Sequence, residues 1–196
     1  VIGGTGGLRK HDAGKLTLTG ANTYGGGTTI DAGTLQIGNG GASGSITGNV
    51  TNHGTLVFNR SDDFAFNGII SGSGAVVQDG FILRLNNAQT YTGPTQINSG
   101  VLVLPSTTDF GLSSSTVVNV ATGAALDLSN RTQKFAGLDG GGSVYSYGGS
   151  AGSLTLDVAA GQTHTFSGSL GGSLPNFAFT KEGSGTQILS GTNNYT

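Results

Sequence analysis

The phrase "GANTYGGGTTIDAGTLQIG", Gly20 to Gly38, returns 67 residues later (Tyr24 to Tyr91) as "NAQTYTGPTQINSGVLVLP", Asn87 to Pro105. It starts a third time at "GTNNYT", which the chain leaves unfinished at Thr196. A chain that spells whole phrases again in order is built from a structural repeat. A repeat too short to bury its own apolar residues must stack on its neighbours.

The local pattern says what kind of repeat this is. Gly, Thr, Asn and β-branched residues dominate, all poor helix formers, and no segment sustains apolar residues at i, i+3 and i+4. Alternation of period two recurs instead, in Leu16-Thr17-Leu18, Leu35-Gln36-Ile37, Leu56-Val57-Phe58, Leu102-Val103-Leu104, Leu126-Asp127-Leu128 and Leu154-Thr155-Leu156. That is the mark of short, half-buried strands. The pairs share a frame of aliphatic residue, glycine and apolar-x-apolar: "IDAGTLQI" (30–37), "VTNHGTLVF" (50–58), "INSGVLVL" (97–104) and "VATGAALDL" (120–128). The frame glycines, 33, 54, 100 and 123, fit one step of about 22 residues if the middle interval is double, with Gly74 in the gap. After Gly123 the markers Gly142, Gly152 and Gly161 compete.

These features predict an all-β chain folded as a parallel β-helix (β-solenoid) with roughly 20–23 residues per coil. About nine coils stacked at ~4.8 Å give a rod on the order of 45 Å long. Leu35 and Leu56 are predicted to hold equivalent inward positions on neighbouring layers. A sandwich of hairpins also fits turn signals at this spacing, but its strands rarely spell the same words in order.

Composition removes several function classes. Glycine supplies 38 of the 196 residues with no Gly-X-Y period, which excludes collagen. The formal net charge is −2, from eight basic and ten acidic residues spread singly, so there is no footprint for nucleic acid. No apolar run is long enough to span a bilayer, and "VIGGTGGLRKHD" has no signal-peptide core. Cysteine is absent, so a repetitive core rather than disulfides must supply stability.

At the level of phrases, "GKLTLTGANTYGGGTTIDAGTLQIGNG" (14–40), "NVTNHGTLVFNRSDDFAFNGIISGSGAVVQDG" (49–80), "VVNVATGAALDLSNRTQKFAGLDGGGSV" (117–144) and "TFSGSLGGS" (165–173) closely resemble the passenger-associated strand repeats of Gram-negative autotransporters. The family pattern, Leu-x-Leu-x-Gly, Asn-x-Tyr-x-Gly, Thr-x-Ile and Gly-x-Leu, is matched at 14–38, approximately at 80–104 and partially at 181–196. Asn86, Asn87 and Pro94 depart from it, as does Pro175. The resemblance implies a right-handed parallel β-helix at the bacterial cell surface or released from it. It also implies that contact with the membrane is made only through a C-terminal barrel that this chain does not contain. In the family such repeats assist secretion and folding. On this reading residues 1–196 are a single β-helical passenger fragment, incomplete at its C-terminal end and expected to be so at its N-terminal end.

The side chains offer little catalytic vocabulary. His11, His53 and His164 are isolated, with no pair at metal-ligand spacing. "NRSDDF" (59–64) is the densest polar cluster, and Arg60, Asp62 and Asp63 are of the types used in acid–base cleavage of glycans. Adjacent strand residues point to opposite sides, however, so a solvated connector is the better reading. No Gly-x-Ser-x-Gly elbow or phosphate loop is present. No metal, cofactor or catalytic residue is predicted. Two stretches interrupt the rhythm, "STTDFGLSSS" (106–115) and "SVYSYGGSAG" (143–152). Loops that project from a solenoid are where binding residues collect, which makes Phe110, Tyr145 and Tyr147 the surface-binding candidates.

The expected role is therefore a structural stalk or display segment of an adhesin-type passenger, and not an enzyme. A binding module is the first alternative, acting by self-association through the ends or faces of the β-helix or by engaging a glycan or host surface. A glycan-cleaving β-helix is the second.

Overall fold

The computed structural model describes residues 1–105, 111–147, 152–171 and 177–195. Among the described residues every regular element is a strand and no helix occurs. Every strand pair is parallel.

The strands wind into a solenoid with three faces. The first face is a nine-stranded sheet in chain order, from Lys15–Leu18, Thr34–Ile37 and Thr55–Phe58 to Thr186–Leu189. The second has six strands, from Asp63–Phe66 to Ser169–Leu170. The third is divided between a four-stranded sheet, from Leu8–Lys10 to Ile70–Ser71, and a three-stranded sheet, from Thr132–Phe135 to Ala178–Glu182. Between them the amides of Thr90, Tyr91 and Thr92 still donate to the carbonyls of Ile70 and Gly72. Each full coil visits the third, first and second faces in turn.

Stacking follows the predicted rule. On the first face Leu16 lies over Leu35, Leu35 over Leu56 and Leu56 over Val76, and beside them Leu18, Ile37 and Phe58 form a second column. Leu35 and Leu56 are both fully buried. Each such side chain contributes roughly 1.5–3 kcal/mol, and none could do so in an isolated coil. Asn86, Asn87 and Pro94 leave the ladder intact: Asn86 N–H donates to Phe66 O, the Pro94 carbonyl accepts from Val76 N–H, and Thr95–Ile97 pairs normally. The Asn86 and Asn87 side-chain amides add bonds to Asn67, at 2.6 and 2.7 Å. Pro175 lies outside the described residues.

Coil length varies more widely than 20–23 residues. The shortest first-face steps are 19 (Lys15 to Thr34, and Val76 to Thr95) and the longest is 26 (Gly140 to Phe166). Three steps of 23 or more, Thr95 to Val118, Gly140 to Phe166 and Thr163 to Thr186, include the passages from second face to third at 104–116, 146–152 and 171–177. In the longest step the passage from third face to first, 158–162, widens as well, so the extra residues enter at more than one corner and the period blurs after Gly123.

The frame glycines belong to two corners rather than one. Gly33, Gly54 and Gly74 turn the chain from third face to first, whereas Gly100, Gly123 and Gly142 turn it from first to second. The 46-residue interval from Gly54 to Gly100 is thus two coils plus one face, not two coils. The full repeat shifts likewise. Lys15–Leu18 and Thr34–Ile37 lie on the first face, but their counterparts in the second copy, Ile82–Leu85 and Val101–Val103, lie on the second. The local structure is nonetheless the same, because each strand bonds to whatever lies above and below it. Tyr24 and Tyr91 are both buried, and each hydroxyl is 2.6 Å from the hydroxyl of the threonine four residues on, Thr28 or Thr95. Burial raises both phenols above their ordinary value.

Glycine is needed at the corner between third and first faces because backbones touch there. A Cβ on Gly54 would lie 2.4 Å from Gly33 O, and one on Gly74 2.4 Å from Gly54 O. Gly14 has open space around its Cβ position. Gly54→Ala is therefore expected to lower the melting temperature sharply while Gly14→Ala leaves it nearly unchanged; equal effects in thermal melts would refute the contact argument. Gln133 supplies a second prediction. Its side chain is fully buried over Leu154, yet neither amide atom has a hydrogen-bond partner. A buried polar group without a partner costs about 1–3 kcal/mol, so Gln133→Leu should match or exceed the parent's stability in denaturant titration.

Candidate functional site

Tyr145 and Tyr147 sit where the second face turns toward the third. Tyr145 ends the strand Ser143–Tyr145 and points outward beside Asp127, its register partner in the coil before. Burial first, then the Asp127 carboxylate, raises its phenol above the ordinary value. Tyr147 is 79% exposed, and its amide donates to Asp127 Oδ1 at 3.1 Å. The same oxygen accepts from Ser129 N–H at 2.8 Å. Ser129 and Asn130 both hold left-handed backbone, with φ of 51° and 61°, and Ser146 Oγ accepts from Asn130 N–H at 2.6 Å. Asp127 and Ser146 thus hold a tight corner from which Tyr147 projects. Phe110 lies outside the described residues.

The "NRSDDF" carboxylates are divided between two arginines. Arg60 makes a two-pronged pair with Asp62, Nε–Oδ1 2.8 Å and Nη2–Oδ2 2.7 Å. It also donates to the carbonyls of Ala42 and Gly44 and lies 4.5 Å from the Phe64 ring centroid. Asp63 points the other way and pairs with Arg84 of the next coil at 2.7 Å. Arg60 therefore ties the 38–45 turn of one coil to the corner of the next. The two carboxylates are thus each paired with a different arginine.

The histidines are spoken for in the same manner. His11 Nδ1 lies 3.0 Å from Asp31, which also pairs with Arg9 at 2.6 Å. His53 Nδ1 is 3.3 Å from Ser73 Oγ, and His164 Nδ1 is 2.8 Å from Asp139. No group of three or more His, Cys, Asp or Glu with metal-holding geometry occurs among the described residues.

A motif search passes over Phe81, which is 56% exposed at the corner between first and second faces. Its signal lies in comparing the copies. Counting back from the strand-ending leucines Leu18, Leu85 and Leu189, the other two copies have Gly14 and Gly185 where the second has Phe81.

The family match fits this geometry of strand, corner and strand. The passenger-associated-transport-repeat family matches residues 8–37, 82–104 and 179–196, the three copies read from the sequence. The matched repeats support an autotransporter passenger domain built from such repeats. Among curated proteins it is similar to "Adhesin BmaC autotransporter" of Brucella suis biovar 1 (strain 1330), with 59% identity over 54 residues. That match covers 28% of this chain and 2% of the relative. No solved structure matches. Similarity to autotransporter passengers implies a secreted or surface-displayed protein.

The ion pairs predict the acid response. Arg9, then His11, hold the Asp31 carboxyl below its usual range, and Arg60 does the same for Asp62. A carboxyl depressed in the folded state contributes stability above its unfolded value of about 3.9 and loses it as pH falls through the folded value. The melting temperature should thus hold between pH 7 and pH 5 and fall below about pH 4. Arg60→Ala should flatten part of that acid slope and speed proteolysis within 38–45. An unchanged slope together with unchanged cleavage would contradict the clamp.

Proposed function

We propose that the chain is a stalk and display segment of an adhesin-type autotransporter passenger, supporting the folding and reach of the whole protein. The observation that carries this reading is the continuity of the first face, nine strands in register with buried side chains stacked from coil to coil. Eight intervals at ~4.8 Å make a column on the order of 40 Å. The relative's name supplies the adhesin class. We read the chain as non-enzymatic, because Asp62 and Asp63 are each neutralised by a different arginine on different sides of the strand.

A stalk tolerates losing a whole coil and not a fraction of one. Val117 pairs with Gly137, so deleting residues 117–136 rejoins the column in register. In the full-length protein this deletion should preserve surface display, protease resistance and adhesion, while deletion of 117–126 should abolish protease-resistant display. Loss of adhesion by the in-register variant while display persists would overturn the stalk reading.

A further inference from the structure

Phe81 stands in a shallow cleft of about 380 Å³ that crosses successive coils at the corner between first and second faces. It serves no core. Two of the three copies place glycine at this point, so the strand and its turn do not need an aromatic ring there. Gly100, in the coil above, and Gly40, two coils below, also line the cleft and add no side chain to it. Around it lie Asn59, Ser61 and Asp79. Asp79 is exposed and its carboxylate has no hydrogen-bond or ion-pair partner among the described residues; the side chains of Asn59 and Ser61 likewise have none. Arg60 also lines the cleft, but its guanidinium is already engaged by Asp62 and two carbonyls.

We propose that this cleft is a binding subsite for neutral pyranose sugars, with Phe81 as the stacking platform and Asp79 and Asn59 as its polar contacts. A pyranose presents an apolar C–H face suited to an open aromatic ring. Its edge carries hydroxyls that donate to a carboxylate and both donate to and accept from an amide. The one uncommitted charge in the cleft is negative, so uronate or sialoside groups are repelled. A single ring and a few polar groups in an open cleft give weak affinity per site. The subsite is independent of the stalk role: a silent cleft in a well-displayed chain refutes the subsite alone, and failure of the coil deletion leaves it untouched.

The test is an NMR titration of the purified chain with methyl glycosides of glucose, galactose and N-acetylglucosamine, with methyl glucuronide as the anionic control. Amide shifts at 59–61 and 79–81 should move with at least one neutral glycoside and much less with the glucuronide. Phe81→Gly, which copies the residue of the other two repeats, should weaken binding at least tenfold with no change in melting temperature. Phe81→Leu should weaken it too, keeping apolar bulk without the flat ring. Asp79→Asn should weaken neutral binding and reduce the discrimination against glucuronide. The proposal fails if no neutral glycoside shifts these amides, if binding survives both Phe81 substitutions, or if glucuronide binds as tightly as the neutral sugars.

Discussion

The parallel ladder between coils is the constraint on which the molecule depends. A strand of three or four residues cannot satisfy its own amides, and a coil of about twenty cannot enclose its own side chains. Both needs are met by the layer above and the layer below. Leu35 is buried because Leu16 and Leu56 cover it, and the Thr55 amide is satisfied because Gly33 O lies one coil away. Stability is therefore a property of neighbouring pairs of coils, added along the column, and not of a single centre.

That dependence explains the glycine content. Strands can stack with side chains of any apolar shape, but at the corners the backbone of one coil rests on the backbone of the next. Gly33, Gly54 and Gly74 succeed one another there at distances that leave no room for a methyl group. The same logic explains why the repeat phrase falls on different faces. Nothing in a strand's hydrogen bonding records which face it occupies, so the Tyr-Thr pair that closes around Tyr24 before a third-face strand closes equally well around Tyr91 before a first-face strand. Sequence period and coil period need only agree locally.

Much of this was legible in the sequence. Period-two alternation at Leu35 and Leu56 gave both the strand and its inward partner, because burial on one side of a strand writes itself into every second residue. The corner glycines were visible too, but not which corner each one served. Gly54 and Gly100 sit in almost identical words, and the third of a coil that separates their phases leaves no mark in composition. The widened corner after the second face also stayed hidden, since extra residues in "STTDFGLSSS" or "SYGGSAG" lengthen a coil without changing any strand. At the surface, aromatics in irregular loops are the ones that a single pass along the chain brings out. Tyr145 and Tyr147 stand out in that way and share a corner, whereas the peculiarity of Phe81 shows only when the copies are set against one another on strand ends.

Outward residues are energetically separate from the column that carries them. An inward substitution disturbs two neighbouring layers, whereas an outward one, such as Phe81 in place of glycine, meets only solvent and a few corner groups. The partition is not perfect: Arg60 faces outward and yet ties one coil's turn to the next, so ion pairs of this type couple surface chemistry to the ladder. Where no such tie exists, a copy of the repeat is free to change its exposed residue while keeping its strands. A column whose interior demands repetition therefore leaves its corners open to difference, and an exposed residue there can change from copy to copy at no cost to the ladder.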